Sequence, residues 1–270
     1  MPTRCAVLGR PVTHSLSPVL HRAAYADLGL DWTYDAVDCG VDDLADVLAA
    51  RADHAGFSCT MPLKHAVLGV AEQTSPVARA VGAGNTLLPG AQGWIADNTD
   101  VAGIVAALAE HAVAPSSVTV LGAGGTAQAA LAALVVLGVD TCTVLVREPA
   151  RAGPLLDTAR RVQVSVELAS LAVDHPALAA DLVVSTLPAR AADAFAAAPW
   201  AAHQALLDVV YAGWPTPLSA AATGAGARVV SGALMLLHQA AAQVSLMTGQ
   251  DAPVPAMRAA LAAAVPGCGV

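Results

Sequence analysis

The 270-residue chain has few charged and few aromatic residues, 13% and 3% of its length, and it lacks a basic cluster or a long apolar run. Thirteen Lys and Arg against 21 Asp and Glu give a net charge of −8. This balance argues against a nucleic-acid partner, because binding along phosphates needs clustered basic residues. A membrane-spanning helix needs about 18 or more consecutive apolar residues, and the longest runs, 129–139 and 259–270, are shorter. A composition of 56% hydrophobic residues predicts a folded chain.

The five cysteines include no C-x-x-C pair, are odd in number and lie far apart in the sequence. This spacing is typical of reduced thiols and argues against a disulfide framework or a zinc site. Arg4 and Arg10 bracket a short strand-like run rather than a long apolar core, so no signal peptide is predicted. We therefore expect a cytoplasmic protein without a bound metal.

Lysine occurs once, at position 64, whereas arginine occurs twelve times. A guanidinium keeps its charge at any working pH, but an amine can exchange protons. The single amine of Lys64 is therefore a candidate for proton transfer. Codon bias could also leave one lysine, so the neighbouring residues must decide between these readings.

Strand-like and helix-like segments alternate along the chain, which is typical of an α/β fold with parallel sheets. At about 100–200 residues per domain, the length fits one large domain or two moderate ones. The predicted strands are 4–9, 32–38, 57–60, 86–88, 93–96, 118–121, 141–146, 162–166, 182–185, 206–210 and 228–230. The main predicted helices begin at the N-cap Ser17 and Pro18 or cover 41–52, 100–111, 122–137, 232–248 and 255–264.

Gly122, Gly124 and Ala127 form a G-x-G-x-x-A motif between a predicted strand and a predicted helix. The glycines let the backbone approach a pyrophosphate, and the start of the helix supplies unpaired N–H groups. The same letters also occur in ordinary glycine-rich turns. The order of strand, loop, helix and second strand favours dinucleotide binding.

The segment after the second strand of that unit indicates which dinucleotide is bound. Enzymes that bind NAD usually carry an acidic residue there, whereas those that bind NADP carry arginine. Arg147 and Arg151 could hold a 2′-phosphate, although both could also be solvated surface residues. Glu148 lies between them and would repel the phosphate unless an extended backbone at Pro149 points its side chain away. The balance favours NADP.

Polar side chains follow several predicted strands in the N-terminal half. Ser15 and Ser17 follow the first strand, Lys64 follows the third, and Asn85 and Asp100 flank the next two. Each alone fits a cap or a turn. Because ligands of open α/β sheets bind at strand ends, the set together predicts a polar substrate site.

An ordered set of motifs resembles the shikimate dehydrogenase family over nearly the whole chain. Each motif alone is weak, and their order makes the resemblance specific. The motifs are G-x-P-V-x-H-S-x-S-P at 9–18, T-M-P-x-K at 60–64, G-x-x-N-T-L at 82–87, D-N-T-D at 97–100, G-A-G-G at 122–125, Tyr211 with T-P-L at 216–218, and G-x-x-M-L-x-x-Q-A at 232–240.

The resemblance implies two α/β domains, an N-terminal substrate domain and a Rossmann-type, doubly wound parallel-sheet domain for NADP. The implied boundaries are 1–100 plus 236–270 for the substrate domain and 101–235 for the NADP domain. Lys64 and Asp100 match the catalytic pair of the family. The implied substrate contacts are Ser15, Ser17, Thr60, Lys64, Asn85, Asp100, Tyr211 and Gln239. The implied cofactor contacts are Gly122, Ala123, Gly124, Gly125, Thr126, Ala127, Arg147, Arg151, Thr186, Gly232 and Met235.

Three positions depart from the family pattern. Ser58 stands where the family often has asparagine, which we expect to alter only a supporting hydrogen bond. The cofactor signature N-R-T-x-x-R begins with Val146 and has Glu148 as its third residue. Leu234 replaces a glycine that is common two places after Gly232, and we have no physical account of this change.

The resemblance implies reversible, NADPH-dependent reduction of 3-dehydroshikimate to shikimate, a step of chorismate and aromatic amino acid biosynthesis. Lys64 would transfer the proton and Asp100 would orient the amine, so the reaction needs no metal. The nearest alternative is a quinate or dual quinate/shikimate dehydrogenase, against which Ser15 argues. A metabolite-sensing or nucleotide-sensing protein on the same fold and an unrelated NADP reductase are further alternatives. We expect a monomer or homodimer without nucleic-acid or membrane partners.

Overall fold

The computed structural model describes residues 3–270 and contains two six-stranded sheets. By its contacts the chain divides into two compact units. The first runs to Asp100 and includes Leu236–Ala264, and the second comprises Val101–Met235 and Val265–Val270. We expected 265–270 in the first domain. These residues lie in the second unit, where the Ser231 hydroxyl donates a hydrogen bond of 3.1 Å to the carbonyl of Gly269.

The sheet of the first unit has the order β2-β1-β3-β5-β6-β4. Strand β1 runs parallel to its neighbours β2 and β3, and β5 runs antiparallel to β3 and β6. We expected parallel strands, but only two residues join β5 to β6, and a link that short requires antiparallel strands. The strands are β1 (Thr3–Gly9), β2 (Trp32–Asp38), β3 (Gly56–Cys59), β4 (Gln73–Thr74), β5 (Thr86–Gly90) and β6 (Gly93–Asp97).

The first unit also contains helices, and two of them begin at a Ser-Pro pair. Ser75 caps its helix by accepting a hydrogen bond from the N–H of Ala78 at 3.1 Å. Ser17, which we expected as an N-cap, is instead the first residue of its helix. The hydroxyl of Ser15 accepts from the N–H of Ser17 at 3.3 Å. The helices are α1 (Ser17–Asp27), α2 (Leu44–Ala49), α3 (Val67–Val70), α4 (Pro76–Val81) and α10 (Val254–Ala264).

The sheet of the second unit is entirely parallel, with the order β12-β11-β10-β7-β8-β9. Counted within the unit, this is 6-5-4-1-2-3, the strand order of the Rossmann fold. Three of its central strands are buried at every residue, as expected for a sheet covered on both faces. The strands are β7 (Val118–Leu121), β8 (Thr141–Val146), β9 (Ser165–Ser170), β10 (Leu182–Ser185), β11 (Ala205–Asp208) and β12 (Arg228–Ser231).

The helices of this unit are α6 (Gly125–Val136), α7 (Gly153–Val162) and α8 (Pro217–Gly224). The expected strand at 162–166 begins later, because Val162 belongs to α7, which buries Leu155 and Ala159. Two further helices are α5 (Asp100–Glu110) and α9 (Gly232–Thr248). The chain passes from the first unit to the second within α5 and returns to the first within α9. The predicted α/β class with a Rossmann-type domain is confirmed.

All five cysteines are free and buried. Burial raises the pKa of Cys5 to about 11 and that of Cys142 to about 12, because a thiolate is poorly solvated inside the protein. Among residues 3–270, no helix has both the length and the apolar character that crossing a membrane requires.

Candidate functional site

The single lysine of the chain is paired with a carboxylate. Lys64 lies in the segment after β3, and Asp100 is the first residue of α5. The Lys64 Nζ atom donates to Asp100 Oδ2 at 2.5 Å. The Asp100 side chain is 5% exposed and the Lys64 side chain is 18% exposed. The carboxylate is thus fixed inside the unit, while the amine that it orients still reaches solvent.

Asn85 joins this pair to two further polar side chains. Its Nδ2 atom lies 2.8 Å from Asp100 Oδ1, 2.9 Å from Thr99 Oγ1 and 3.2 Å from Gln239 Oε1. Its Oδ1 atom accepts from the main-chain N–H of Thr99 at 2.8 Å. The structure therefore brings together Lys64, Asn85, Asp100 and Gln239, four residues that the sequence predicted for one site.

The predicted hydroxyl groups lie at the same edge of the sheet. Ser15 and Ser17 follow the carboxyl end of β1, and Thr60 follows the carboxyl end of the neighbouring parallel strand β3. A side chain at Gly9 would collide with Thr60, so the ends of these two strands are in close contact. The main-chain carbonyl of Asn85 accepts from the N–H of Cys59 at 2.7 Å, which places the amide cluster beside the end of β3.

Sequence reasoning missed Gln243, which is buried on α9 one turn after Gln239. The spacing i, i+4 puts both glutamines on one helix face, and this was the available signal. Gln243 accepts a hydrogen bond of 2.7 Å from Ser58, and the Ser58 hydroxyl accepts one of 2.5 Å from Tyr34. Ser58, which stands where the family often has asparagine, thus links Tyr34 to Gln243.

The glycine motif of the second unit borders a cleft of about 530 Å³. Gly122 has a φ of +105°, and a Cβ atom there would lie 2.7 Å from Thr186 Oγ1, so the position requires glycine. Gly124 occupies the N-cap position of α6, and Thr126 and Ala127 lie in the first turn of that helix. The cleft is lined by Gly122, Ala123, Gly124, Val146, Arg147, Glu148, Arg151, Leu171, Leu187, Pro188 and Ala191.

Glu148 forms an ion pair with one of the two arginines of the cleft. Its Oε2 atom lies 3.6 Å from Arg151 Nη1, and both side chains are more than half exposed. The backbone is extended at Glu148, but Pro149–Arg151 forms a 3-10 turn, so the condition under which Glu148 would point away is not met. The turn places Arg151 beside the Glu148 carboxylate. The carboxylate therefore partly neutralises the positive charge of one of the two arginines.

Tyr211 lies in the second unit, whereas the other predicted substrate contacts lie in the first. The predicted cofactor contacts Gly232 and Met235 also lie in the second unit. Tyr211 follows β11, and burial raises the pKa of its phenol. Gly232 is packed against the main-chain carbonyl of Val209 so closely that no side chain fits there. Met235 is buried. Within residues 3–270, no group of three or more His, Cys, Asp and Glu side chains is placed to hold a metal ion.

The second unit has a Rossmann sheet, a glycine loop and an arginine-lined cleft, and the first unit has a lysine–aspartate pair among amides and hydroxyls. These features define a dinucleotide-dependent oxidoreductase of a small polar substrate. The family model described as the shikimate dehydrogenase substrate binding domain matches residues 7–87, and that described as the shikimate 5′-dehydrogenase C-terminal domain matches residues 232–262. The chain belongs to the shikimate dehydrogenase family, as the sequence predicted.

Individual relatives agree with this assignment. The chain is 39% identical to a shikimate dehydrogenase (NADP(+)) of Anaeromyxobacter sp. (strain Fw109-5), with 95% of each chain covered. It is 45% identical to the crystal structure of Mycobacterium tuberculosis shikimate dehydrogenase, with a TM-score of 0.88 and coverage of 97% of this chain and 100% of that one. The enzyme of Thermus thermophilus, in complex with NADP(H) and shikimate, is 32% identical, with a TM-score of 0.84 and coverage of 97% and 99%.

Proposed function

We propose that this protein is an NADP-dependent shikimate dehydrogenase that reversibly reduces 3-dehydroshikimate to shikimate, and that it acts in the cytoplasm. The observation that carries the proposal is the bonded pair of Lys64 and Asp100, held by Asn85 beside Gln239. The relatives named above are shikimate dehydrogenases, so they do not favour the quinate alternative. A protein that only senses a metabolite has no need of a proton donor.

Lys64 transfers the proton of the reaction. When bound, NADPH supplies a hydride to the carbonyl carbon of the substrate. The ammonium of Lys64 polarises the carbonyl and gives its proton to the oxygen, so that the alcohol forms and a neutral amine remains. In the oxidative direction the neutral amine takes the proton back. Asp100 keeps the amine in place through its Oδ2 atom.

Hydroxyls and amides at one sheet edge bind the substrate. Shikimate carries three ring hydroxyls and a carboxylate, and such groups pair with neutral donors and acceptors. Ser15, Ser17 and Thr60 supply hydroxyls at the ends of β1 and β3. The resemblance adds Asn85, Asp100 and Gln239 as ring contacts and Tyr211 as a contact of the carboxylate.

The cleft of the second unit binds the nucleotide. Its glycine loop leads into α6, whose first N–H groups suit a pyrophosphate. Arg147 and Arg151 line the same cleft and suit a 2′-phosphate. Thr186 donates to the main-chain carbonyl of Leu121 at 2.7 Å and so holds the end of β10 against β7 beside the loop. Gly232 and Met235 are assigned to the nicotinamide by resemblance.

Steady-state assays with two substrates and two cofactors test the proposal. We expect reduction of NADP+ with shikimate to be the fastest of the four combinations of NADP+ or NAD+ with shikimate or quinate. Faster turnover of quinate would replace the proposal by the quinate alternative. A protein that binds NADP+ but reduces it with neither substrate would support the sensing alternative.

Ser15→Ala and Gln239→Ala should mainly raise the KM for shikimate, because contacts that act alike on substrate and transition state leave kcat unchanged. A lost hydrogen bond of about 1 kcal/mol corresponds to a KM about fivefold higher. Initial rates over a range of shikimate concentrations measure both parameters. A normal KM in both variants would remove these two residues from the substrate site.

A further inference from the structure

Gln243 makes a complete set of hydrogen bonds inside the first unit. Its side chain is 1% exposed. Its Nε2 atom donates to the main-chain carbonyl of Asn85 at 3.0 Å and to Thr86 Oγ1 at 2.9 Å. Its Oε1 atom accepts from Ser58 Oγ at 2.7 Å and lies 3.4 Å from His21 Nε2. Since a primary amide has two donor hydrogens and one oxygen with two lone pairs, every polar position of the side chain is used.

These contacts fix which way the amide of Gln243 points. The carbonyl oxygen of Asn85 can only accept, so the amide nitrogen must face it. The second hydrogen of that nitrogen then goes to the hydroxyl oxygen of Thr86. Burial lowers the pKa of His21 to about 3, so its ring is neutral. A neutral ring that donates from Nε2 to Gln243 can accept at Nδ1 from the Tyr25 hydroxyl, which is 3.3 Å away.

These hydrogen bonds also determine the orientation of the Asn85 side-chain amide. The Thr86 hydroxyl has one hydrogen, and its oxygen already accepts from Gln243. That hydrogen points to Asn85 Oδ1, 2.8 Å away. The same Oδ1 atom also accepts from the N–H of Thr99. With its oxygen held on both sides, the amide of Asn85 must turn its nitrogen toward Asp100.

The last bonds of the series reach the proton-transfer residue. Asn85 Nδ2 donates to one oxygen of Asp100 at 2.8 Å, and Lys64 Nζ donates to the other at 2.5 Å. The position of the Asp100 carboxylate therefore depends on Asn85, and the position of the amine depends on that carboxylate. A continuous series of hydrogen bonds connects Gln243 through Thr86, Asn85 and Asp100 to Lys64.

We propose that Gln243 is a positioning residue of the dehydrogenase, which acts through Thr86 and Asn85 to hold Asp100 and Lys64 in the geometry for proton transfer. The proposal rests on the function proposed above. All polar positions of Gln243 are bonded to protein groups, so its role is to set the direction of the hydrogen bonds behind Asn85 and Asp100.

Gln243→Met tests the proposal, because methionine fills a similar volume and makes none of these bonds. We expect kcat with shikimate to fall by roughly fivefold, since small displacements of reacting groups are costly, while the KM for shikimate changes by less than about twofold. Gln204→Met is the matched control. Gln204 is a buried glutamine of the second unit that directly precedes β11. Its amide nitrogen donates to the main-chain carbonyls of Leu178 and Ala180.

Both variants should lower the melting temperature, since each removes two donated hydrogen bonds from a buried site. Only Gln243→Met should lower kcat. If Gln243→Met keeps normal kcat with the same loss of melting temperature as Gln204→Met, Gln243 is merely structural and the proposal is overturned. If the wild-type protein does not oxidise shikimate at all, the proposed function fails instead.

A double-mutant cycle tests the route through Thr86. Thr86→Val removes the hydroxyl with little change in shape and should lower kcat about as much as Gln243→Met. Thr86→Ser keeps the hydroxyl and should retain most of the activity. If Gln243 acts through Thr86, the double variant Gln243→Met with Thr86→Val is no slower than either single variant. If the fold-loss in kcat of the double variant equals the product of the two single losses, Gln243 does not act through Thr86.

Discussion

Lys64→Ala is expected to lower kcat by roughly 10²–10⁴-fold, the usual range for a general acid–base group. The amine of Lys64 is held 2.5 Å from Asp100 and is the only lysine amine in the chain. No other lysine can therefore take over proton transfer. The KM for shikimate should change much less, because the ring hydroxyls keep their other partners. Initial rates in both reaction directions measure the effect.

Lys64→Arg tests whether Lys64 transfers a proton or only supplies a positive charge. An arginine keeps the positive charge beside Asp100, but its guanidinium does not give up a proton at working pH. We expect this variant to be as slow as Lys64→Ala within about tenfold, a difference of about 1.4 kcal/mol in the barrier. Recovery of most of the turnover by arginine, or more than about a tenth of wild-type kcat in Lys64→Ala, would show that Lys64 does not transfer the proton.

Arg147→Ala should weaken NADP binding by roughly tenfold or more, since a charge-assisted hydrogen bond to phosphate is worth about 1.5–3 kcal/mol. NAD binding should change little, because NAD lacks the 2′-phosphate. Titration calorimetry with 2′,5′-ADP and with 5′-AMP measures the contribution of the 2′-phosphate without any turnover. Equal losses for the two nucleotides would show that Arg147 does not recognise the 2′-phosphate.

The ion pair of Glu148 and Arg151 makes the two arginines unequal. The carboxylate already shares the charge of Arg151 at 3.6 Å, so Arg151→Ala should cost less 2′,5′-ADP affinity than Arg147→Ala. Glu148→Gln removes the repulsion and frees Arg151, and should tighten 2′,5′-ADP binding while leaving 5′-AMP binding unchanged. Weaker binding of 2′,5′-ADP in Glu148→Gln would mean that the ion pair instead holds Arg151 in its binding position.

The parts of the site that follow from strand ends could be predicted from the sequence. Ser15 and Lys64 lie in the loops after β1 and β3, Asn85 directly precedes β5, and these neighbouring strands bring the three residues to one edge. The glycine motif was predictable for the same reason, because its strand and helix are adjacent in sequence. Local patterns were sufficient wherever the geometry is set within one strand–loop–helix unit.

What could not be predicted depends on contacts between distant segments or on the shape of a single turn. Gln243 bonds to Ser58 across 185 positions of sequence, and no local pattern marks such a pair. Glu148 meets Arg151 only because Pro149 begins a tight turn where an extended segment was equally compatible with the sequence. The boundary at Val162 failed because a helix and a strand both accommodate a short apolar run.

The burial of every cysteine makes this protein a convenient object for site-specific labelling. Thiol reagents attack the thiolate, and burial removes both access and ionisation at all five positions, as the raised pKa values of Cys5 and Cys142 illustrate. The folded protein should therefore consume less than one equivalent of maleimide, measured by intact mass. A Val136→Cys variant, at a position 65% exposed on α6, should take up one. A fluorophore or spin label could then report on the enzyme with its native cysteines left in place.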